Sequence, residues 1–277
     1  MTTMNWRIIR TIAVKDWKEV LQNRTVMTSS LILPLVFVVF IPLLIIYLSS
    51  TLSAPGMNNS SLQIQALIQV MPPPVRDQIS GLSVNQAMNV LILGFFLAPM
   101  FLILPLMIAS IIGADSIVGE KERKTLEALL YTPASDRELY LAKVLSAVAP
   151  AIAIAWGSFI VYVIVVNVAG ASLMGRIWFP LPHWWPLILW VAPAVATLGM
   201  SVIVLISSRV STFMAAQQSS GLLVLPIGLL VIAQATGVIY LSVGLVFALG
   251  VVIWLLDALL IWIGVKQFSR SKLMARI

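Results

Sequence analysis

The chain has 277 residues, of which 60% are hydrophobic and only 10% are charged, and its mean hydropathy is +1.04. A soluble domain carries about 25% charged residues, so this composition excludes an ordinary soluble protein and predicts a polytopic membrane protein. The absence of cysteine excludes disulfides and thiolate chemistry, and the net charge of +7 comes from basic residues beside apolar runs rather than from a nucleic-acid-binding surface.

Residues 1–24 carry apolar and basic side chains at helical spacing. This pattern predicts an amphipathic helix lying in the interface of an anionic leaflet. The alternative is a basic tail that only orients the first span. No signal-peptide core precedes a small-residue cleavage site, so we expect the segment to be retained. The apolar positions are Trp6, Ile9, Ala13, Trp17 and Val20, and the basic ones are Arg7, Arg10, Lys15 and Lys18.

Six apolar runs are long enough to cross a membrane, which predicts an all-α membrane protein formed by a single domain over residues 1–277. Residues 48–86 are polar and are expected to lie outside the membrane, as either a passive connector or part of a substrate exit. Gln234 to Gly237 are expected to form the turn before the last span. The predicted spans are 26–47, 88–112, 144–168, 187–207, 213–233 and 241–265.

The distribution of basic residues predicts the orientation of these spans. Placing both termini, residues 114–143 and Arg209 in the cytoplasm leaves 15 of the 17 Lys and Arg residues inside. Only Arg76 and Arg176 then lie outside. The outer side also carries an expected aromatic belt, formed by Trp178, His183, Trp184 and Trp185.

The segment between the second and third spans is the most charged part of the chain. Gly113 to Lys143 hold eleven of the 27 charged residues, so residues 114–143 are predicted to form a cytoplasmic loop. Glu120–Leu130 is predicted to be a short amphipathic helix with Glu120 paired to Lys124, ended by Thr132-Pro133. Ser135 and Glu138 form a capping box that starts the next helix.

This loop resembles that of the ABC-2 type permeases, the membrane subunits of ABC exporters. The resemblance implies a dimer of permeases, made with a second copy or a homologous chain, and two cytoplasmic ATPase subunits that bind ATP and Mg²⁺. It also implies a multi-pass protein in the plasma (inner) membrane of a prokaryote. The residues that carry the match are Thr125, Leu126, Glu127, Leu129, Leu130, Thr132 and Pro133.

On this resemblance, the loop docks as a coupling helix into a cleft of the ATPase. The alternative is a solvated loop with ordinary topology-setting charges, but its six acidic residues argue against that, because orientation depends on basic residues. The predicted coupling residues are Glu120, Lys121, Glu122, Arg123, Lys124, Thr125, Leu126, Glu127, Leu129, Leu130, Thr132 and Pro133.

Other chemistry in the chain is sparse. No phosphate-binding G-x-x-x-x-G-K-[ST] motif is present, so the chain is expected not to be the ATPase, and no cofactor or metal is expected within it. Asp257, Gln217 and Gln218 are candidates for a translocation path, because polar groups inside spans are costly and often functional. The alternatives are a structural or interfacial role for Asp257 and contacts between helices for the two glutamines. The single histidine, His183, is expected to be an interface residue.

Two other functions remain possible from the sequence. One is an ATP-driven membrane protein that transmits force or a signal without moving a substrate. The other is an intramembrane lipid-modifying enzyme, although one histidine and one intramembrane carboxylate do not form the clustered site that such an enzyme needs. We expect membrane lipids, and no nucleic acid, among the partners.

Overall fold

The computed structural model describes residues 5–51, 72–125, 134–207 and 209–267, and every regular element within them is helical. Six helices are long and apolar enough to cross a membrane, which confirms the predicted all-α architecture with six spans. We number them span 1 to span 6. Their bounds are Val26–Thr51, Val84–Glu122, Asp136–Ala169, Trp184–Ser207, Phe213–Ala235 and Val243–Lys266.

Spans 2 and 3 are longer than the apolar runs that predicted them, with 39 and 34 residues. At about 1.5 Å of rise per residue, each exceeds the hydrocarbon thickness of about 30 Å. Each helix therefore extends well past its apolar run on the side where span 2 ends and span 3 begins. Most of the charged residues predicted to form a loop belong to these two extensions, and only 123–135 separates the helices.

Spans 1, 2 and 4 contain wider, π-helical segments, and all of these except Asp115–Gly119 lie within three residues of a proline. Proline lacks the N–H that the helical ladder needs, and such interruptions are commonly accommodated by a local change of helix pitch. Span 5 is interrupted differently, by a turn between Phe213–Gly221 and Val224–Ala235. The π-helical segments are Val36–Phe40, Val90–Phe96, Asp115–Gly119 and Leu187–Val191.

Spans 2 and 4 form the centre of the bundle. In each of them 72% of the most apolar window is buried, against 11% for span 5 and 17% for span 6. Gly199 of span 4 allows the two central helices to approach closely, because a Cβ there would lie 2.9 Å from the Leu106 carbonyl oxygen. The outer faces of spans 1, 5 and 6 are left apolar and exposed, as lipid-facing surfaces are.

The N-terminal helix, Trp6–Gln22, packs along the beginning of span 3. The Asn5 side chain caps it by accepting a hydrogen bond from the Arg7 N–H, 3.1 Å away. Ile9 and Val20 are buried against the bundle, whereas Trp6 stays exposed. We call this end of the molecule the base. The predicted helix is present; its location in the membrane interface stays a prediction.

Candidate functional site

Four charged side chains meet at the base of the bundle, and we call them the base cluster: Lys15, Asp16, Glu120 and Lys143. Three helices supply them. Lys15 and Asp16 come from the N-terminal helix, Glu120 from the end of span 2, and Lys143 from the second turn of span 3. The predicted capping box of Ser135 and Glu138 is confirmed, and it starts span 3 at Asp136. This starting point places Lys143 in the second turn of the helix, beside the other members of the cluster.

Lys143 is the centre of the cluster. Its Nζ lies 3.0 Å from Asp16 Oδ2 and 2.8 Å from Glu120 Oε2, and the three side chains are only 1%, 2% and 4% exposed. Ser116 adds a hydrogen bond from its Oγ to Asp16 Oδ2 at 3.1 Å. A buried ammonium shared by two buried carboxylates is stable only while all three remain, because each charge compensates the others for lost water.

Lys15 joins the cluster from its solvent side. Its Nζ lies 3.1 Å from Glu120 Oε1 and 3.0 Å from Glu19 Oε1. Burial lowers the pKa of Lys15, but the negative charges of Glu120, Glu19 and Asp16 raise it by more than burial lowers it. The pKa therefore lies above its usual value, and the ammonium stays charged. Asp16, Glu19 and Glu120 have the spacing of a metal-binding group. Lys15 and Lys143 supply the positive charge there, which makes this an ion-pair cluster rather than a metal site.

The helix of span 2 ends at Glu122, two residues after Glu120. Arg123 Nη1 donates to Asp115 Oδ1 at 2.9 Å, and Lys124 has a positive φ of 58° that no continuing helix allows. The Thr125 N–H then donates to the Glu120 carbonyl at 2.9 Å. The backbone therefore turns away from the axis of span 2 at Lys124, and contacts to the last turn of span 2 hold this turn.

The predicted helix from Glu120 to Leu130 is therefore wrong at its beginning. Glu120 lies in the last turn of span 2 instead of opening a new helix, and it pairs with Lys143 and Lys15 instead of with Lys124. The physical reason is that a buried carboxylate needs a compensating charge, and the buried ammonium of Lys143 supplies it better than an exposed lysine four residues away. The remaining coupling residues, in 126–133, lie outside the described residues.

Two further acidic side chains tie this end of the molecule together. Glu138 Oε1 accepts a hydrogen bond from the Asn5 N–H at 2.6 Å, which links span 3 to the start of the N-terminal helix. Glu122 Oε2 accepts one from the Phe213 N–H at 3.0 Å, which links span 2 to span 5. Among the other predicted coupling residues, Lys121 is half-buried, and Lys124 and Thr125 are exposed.

The sequence-based prediction missed Asp16 and Lys143, although a signal for both was present. Asp16 lies four residues after Ile12 and four before Val20, so it falls on the buried face of its helix. Lys143 falls between Tyr140 and Ala147 on the buried face of span 3. A charged residue on an apolar helical face indicates a buried ionic partner elsewhere in the chain.

The three candidates for a translocation path lie on spans 5 and 6. Asp257 is fully buried on span 6, and neither of its carboxyl oxygens accepts a hydrogen bond from a described residue. Gln217 is half-buried and Gln218 exposed on the first helix of span 5. Their role in a path stays a prediction.

A second polar arrangement lies at the end opposite the base, around the π-helical segment Val90–Phe96. Three successive carbonyl groups of this segment accept hydrogen bonds from distant side chains. Tyr162 Oη donates to Leu93, Trp184 Nε1 to Gly94 at 2.7 Å, and Gln234 Nε2 to Phe95 at 3.0 Å. These bonds attach spans 3, 4 and 5 to one irregular segment of span 2. The wider π-helical turn makes this possible, because it leaves backbone carbonyl groups available to side chains from other helices.

His183 belongs to this arrangement and is buried among the helices; its predicted location at the membrane interface stays a prediction. Its ring is 2% exposed and stacks on Phe95, and Nε2 lies 3.0 Å from the Gly94 carbonyl oxygen. Trp184 is likewise buried, whereas Trp185 is exposed. The predicted aromatic belt is therefore only partly at the surface, because the ring N–H groups of His183 and Trp184 find acceptors inside the bundle.

Acidification is expected to weaken the fold through His183. Burial lowers the pKa of His183 from 6.5 to about 4. Between these two values the unfolded state binds a proton that the folded state does not, so stability falls as pH falls. Going from pH 7 to pH 5 should cost about 2 kcal/mol through this group.

Thermal unfolding of the wild type and of His183→Gln at both pH values measures this effect. Glutamine keeps an N–H donor for the Gly94 carbonyl but does not titrate, so the wild type should lose more stability on acidification than the variant. An equal loss in both proteins would contradict the assignment of a buried, neutral histidine.

Comparison with known proteins gives one finding about the family. A family model described as "ABC-2 family transporter protein" matches residues 10–266, which include the N-terminal helix from its second turn onward, the base cluster and all six spans. A search of curated proteins gave no match.

Proposed function

Because this chain belongs to the ABC-2 family of transporter proteins, we propose that it is the permease subunit of an ATP-driven exporter whose spans are moved through residues 120–133 by a separate cytoplasmic ATPase. Two permeases would form the path, and the ATPase subunits would bind ATP and Mg²⁺. Family membership supports the coarser statement that the chain is a transport permease. The coupling and the dimer are the proposal.

The observation that carries this proposal is the attachment of both flanks of residues 126–133 to the same rigid base. On the N-terminal flank, Glu120 and Arg123 hold the end of span 2. On the C-terminal flank, the capping box and Lys143 hold the start of span 3. A force applied to the intervening residues is therefore delivered to two spans at once, as a lever requires.

The base also distributes that force beyond spans 2 and 3. Asp16 connects the N-terminal helix to Lys143, and the Asn5 N–H connects the start of that helix to Glu138 of span 3. Glu122 connects span 2 to span 5. Buried ion pairs have directional geometry and resist sliding, because moving one partner away leaves an uncompensated charge. We expect the base to move as one body and the spans to repack above it.

The test is charge reversal and an apolar-to-acidic change within residues 126–133. Glu127→Lys and Leu130→Asp should leave the permease inserted and folded, because neither change alters a span. Each should reduce co-purification of the ATPase, or its stimulation by the permease, by about tenfold, which corresponds to ~1.4 kcal/mol of binding energy.

Matched controls carry the same chemical changes at the opposite end of the molecule. Asp77→Lys reverses an exposed charge there, and Ile177→Asp changes an exposed apolar residue. Both should leave ATPase binding and stimulated hydrolysis at the wild-type level. If Glu127→Lys and Leu130→Asp also behave like the wild type, docking through this segment is wrong.

A further inference from the structure

Span 6 buries only a narrow stripe, and that stripe contains a carboxyl group. Gly250, Asp257 and Gly264 recur every seven residues and are all buried, while most positions around them face outward. The two glycines allow close approach of neighbouring side chains: a Cβ at Gly250 would overlap Trp190 of span 4, and one at Gly264 would lie 2.8 Å from Tyr140 Oη of span 3. Asp257 is thus held where span 6 meets spans 3 and 4.

Asp257 lies well inside span 6, away from both of its ends. It lies nine positions before Lys266, whose ammonium is 3.4 Å from the centre of the Trp262 ring near the end of span 6. At 1.5 Å per residue this places the carboxyl about 14 Å inside the span. Its relative exposure is 0%, so it has no contact with water in this packing.

No described side chain supplies a positive charge to Asp257. Span 4 contains no titratable residue between Trp184 and Ser207. On span 3, Lys143 is taken up by Asp16 and Glu120, and Arg137 is exposed. The remaining titratable group nearby is Tyr140, whose hydroxyl lies close to Ser201 and within electrostatic range of Asp257.

An ionised carboxylate in this position would be both desolvated and uncompensated. Such a charge costs far more than the neutral acid, because a neutral carboxyl loses only its hydrogen bonds on burial. Neither oxygen of Asp257 accepts a hydrogen bond from a described residue, so hydrogen bonding does not stabilise the charged form. Binding a proton neutralises the carboxylate of Asp257, and a proton needs no additional cavity volume.

We propose that Asp257 is a proton-binding site: its carboxyl carries a proton while span 6 is packed against spans 3 and 4, and releases it to water when span 6 moves away. In the release step the O–H bond of the acid breaks, water takes the proton, and the carboxylate left behind is hydrated. Tyr140, whose hydroxyl lies close to Ser201, supplies a polar side chain within electrostatic range of the site. This inference does not depend on ATPase coupling.

Infrared spectroscopy of the full-length permease in lipid nanodiscs tests the proposal directly. At pH 7 the wild type should show the C=O stretching band of a neutral carboxylic acid, which shifts in D₂O. Asp257→Asn should lose this band completely, and Asp257→Glu should retain it at a displaced frequency. Asp77→Asn, the same change at an exposed position, should leave it unchanged.

Several outcomes overturn the proposal. A wild type without the band at pH 7 has an ionised Asp257, and a band that survives in Asp257→Asn belongs to another carboxyl. A band that appears only when sodium chloride is replaced by choline chloride identifies Na⁺, not a proton, as the ligand. The wild-type spectrum alone shows whether a neutral carboxylic acid is present, so the proposal can be tested even if a variant folds poorly. In that case, ¹³C labelling of the aspartate carboxyl groups assigns the band to aspartate.

Discussion

Replacing Lys143 by methionine is expected to destabilise the protein by about 3–5 kcal/mol, enough to remove most folded protein from the membrane. Methionine fills a similar volume but leaves Asp16 and Glu120 facing each other, both buried and without their shared ammonium. Lys15 compensates little, since it is 46% exposed and already pairs with Glu19. The measurement is the thermal unfolding midpoint of the purified protein, with the loss of folded protein on heating detected by size-exclusion chromatography.

Two further variants separate the loss of the ion pair from the loss of a lysine. Lys18→Met makes the same change at an exposed position of the N-terminal helix and should stay within about 0.5 kcal/mol of the wild type. The triple variant Asp16→Asn, Glu120→Gln, Lys143→Met removes all three charges and should regain most of the stability lost by Lys143→Met alone. A Lys143→Met protein as stable as the wild type would show that the cluster does not hold the base together.

Introducing a side chain at Gly199 is expected to separate the two central spans. A Cβ at this position would lie 2.9 Å from the Leu106 carbonyl oxygen and 3.0 Å from Ser110 Oγ. The carbonyl belongs to the backbone of span 2 and can move only if that span moves. Gly199→Ala should cost about 1–3 kcal/mol, and Gly199→Leu more, because overpacking forces the helices apart.

The chain provides matched controls for this substitution. Gly157 of span 3 and Gly228 of span 5 also lie inside spans, but a Cβ at either position meets open space. Gly157→Leu and Gly228→Leu should therefore insert and unfold like the wild type, whereas Gly199→Leu should lower the thermal midpoint sharply. Equal midpoints for the three variants would contradict close packing of spans 2 and 4.

Features that depend on neighbouring residues along the chain were predictable from the sequence. Each apolar run of about 20 residues satisfies its own backbone as a helix in lipid, so the number of spans follows from the positions of the apolar runs along the sequence. The start of span 3 followed from Ser135 and Glu138, three residues apart, which satisfy each other's backbone groups. The turn before span 6 followed from Gly237, which adopts a positive φ of 73°.

Pairings between distant residues were not predictable in the same way. Asp16 and Lys143 are 127 residues apart, and His183 and Gly94 are 89 apart. Local spacing predicted a surface pair of Glu120 with Lys124, and the tertiary structure replaced it with a buried one. Burial changes which partner is favourable, since the cost of desolvation makes an unpaired charge far more unfavourable inside the bundle than at its surface.

The sequence by itself determined that this protein crosses a membrane six times and presents a charged segment between its second and third spans, because hydrophobicity and helix capping act over a few turns. Only the tertiary structure decided that much of this charge closes the base of the bundle and that Asp257 faces its own neighbours rather than lipid. Those outcomes depend on which helical faces meet, and that is set by side-chain packing across the bundle rather than by the order of residues within one helix.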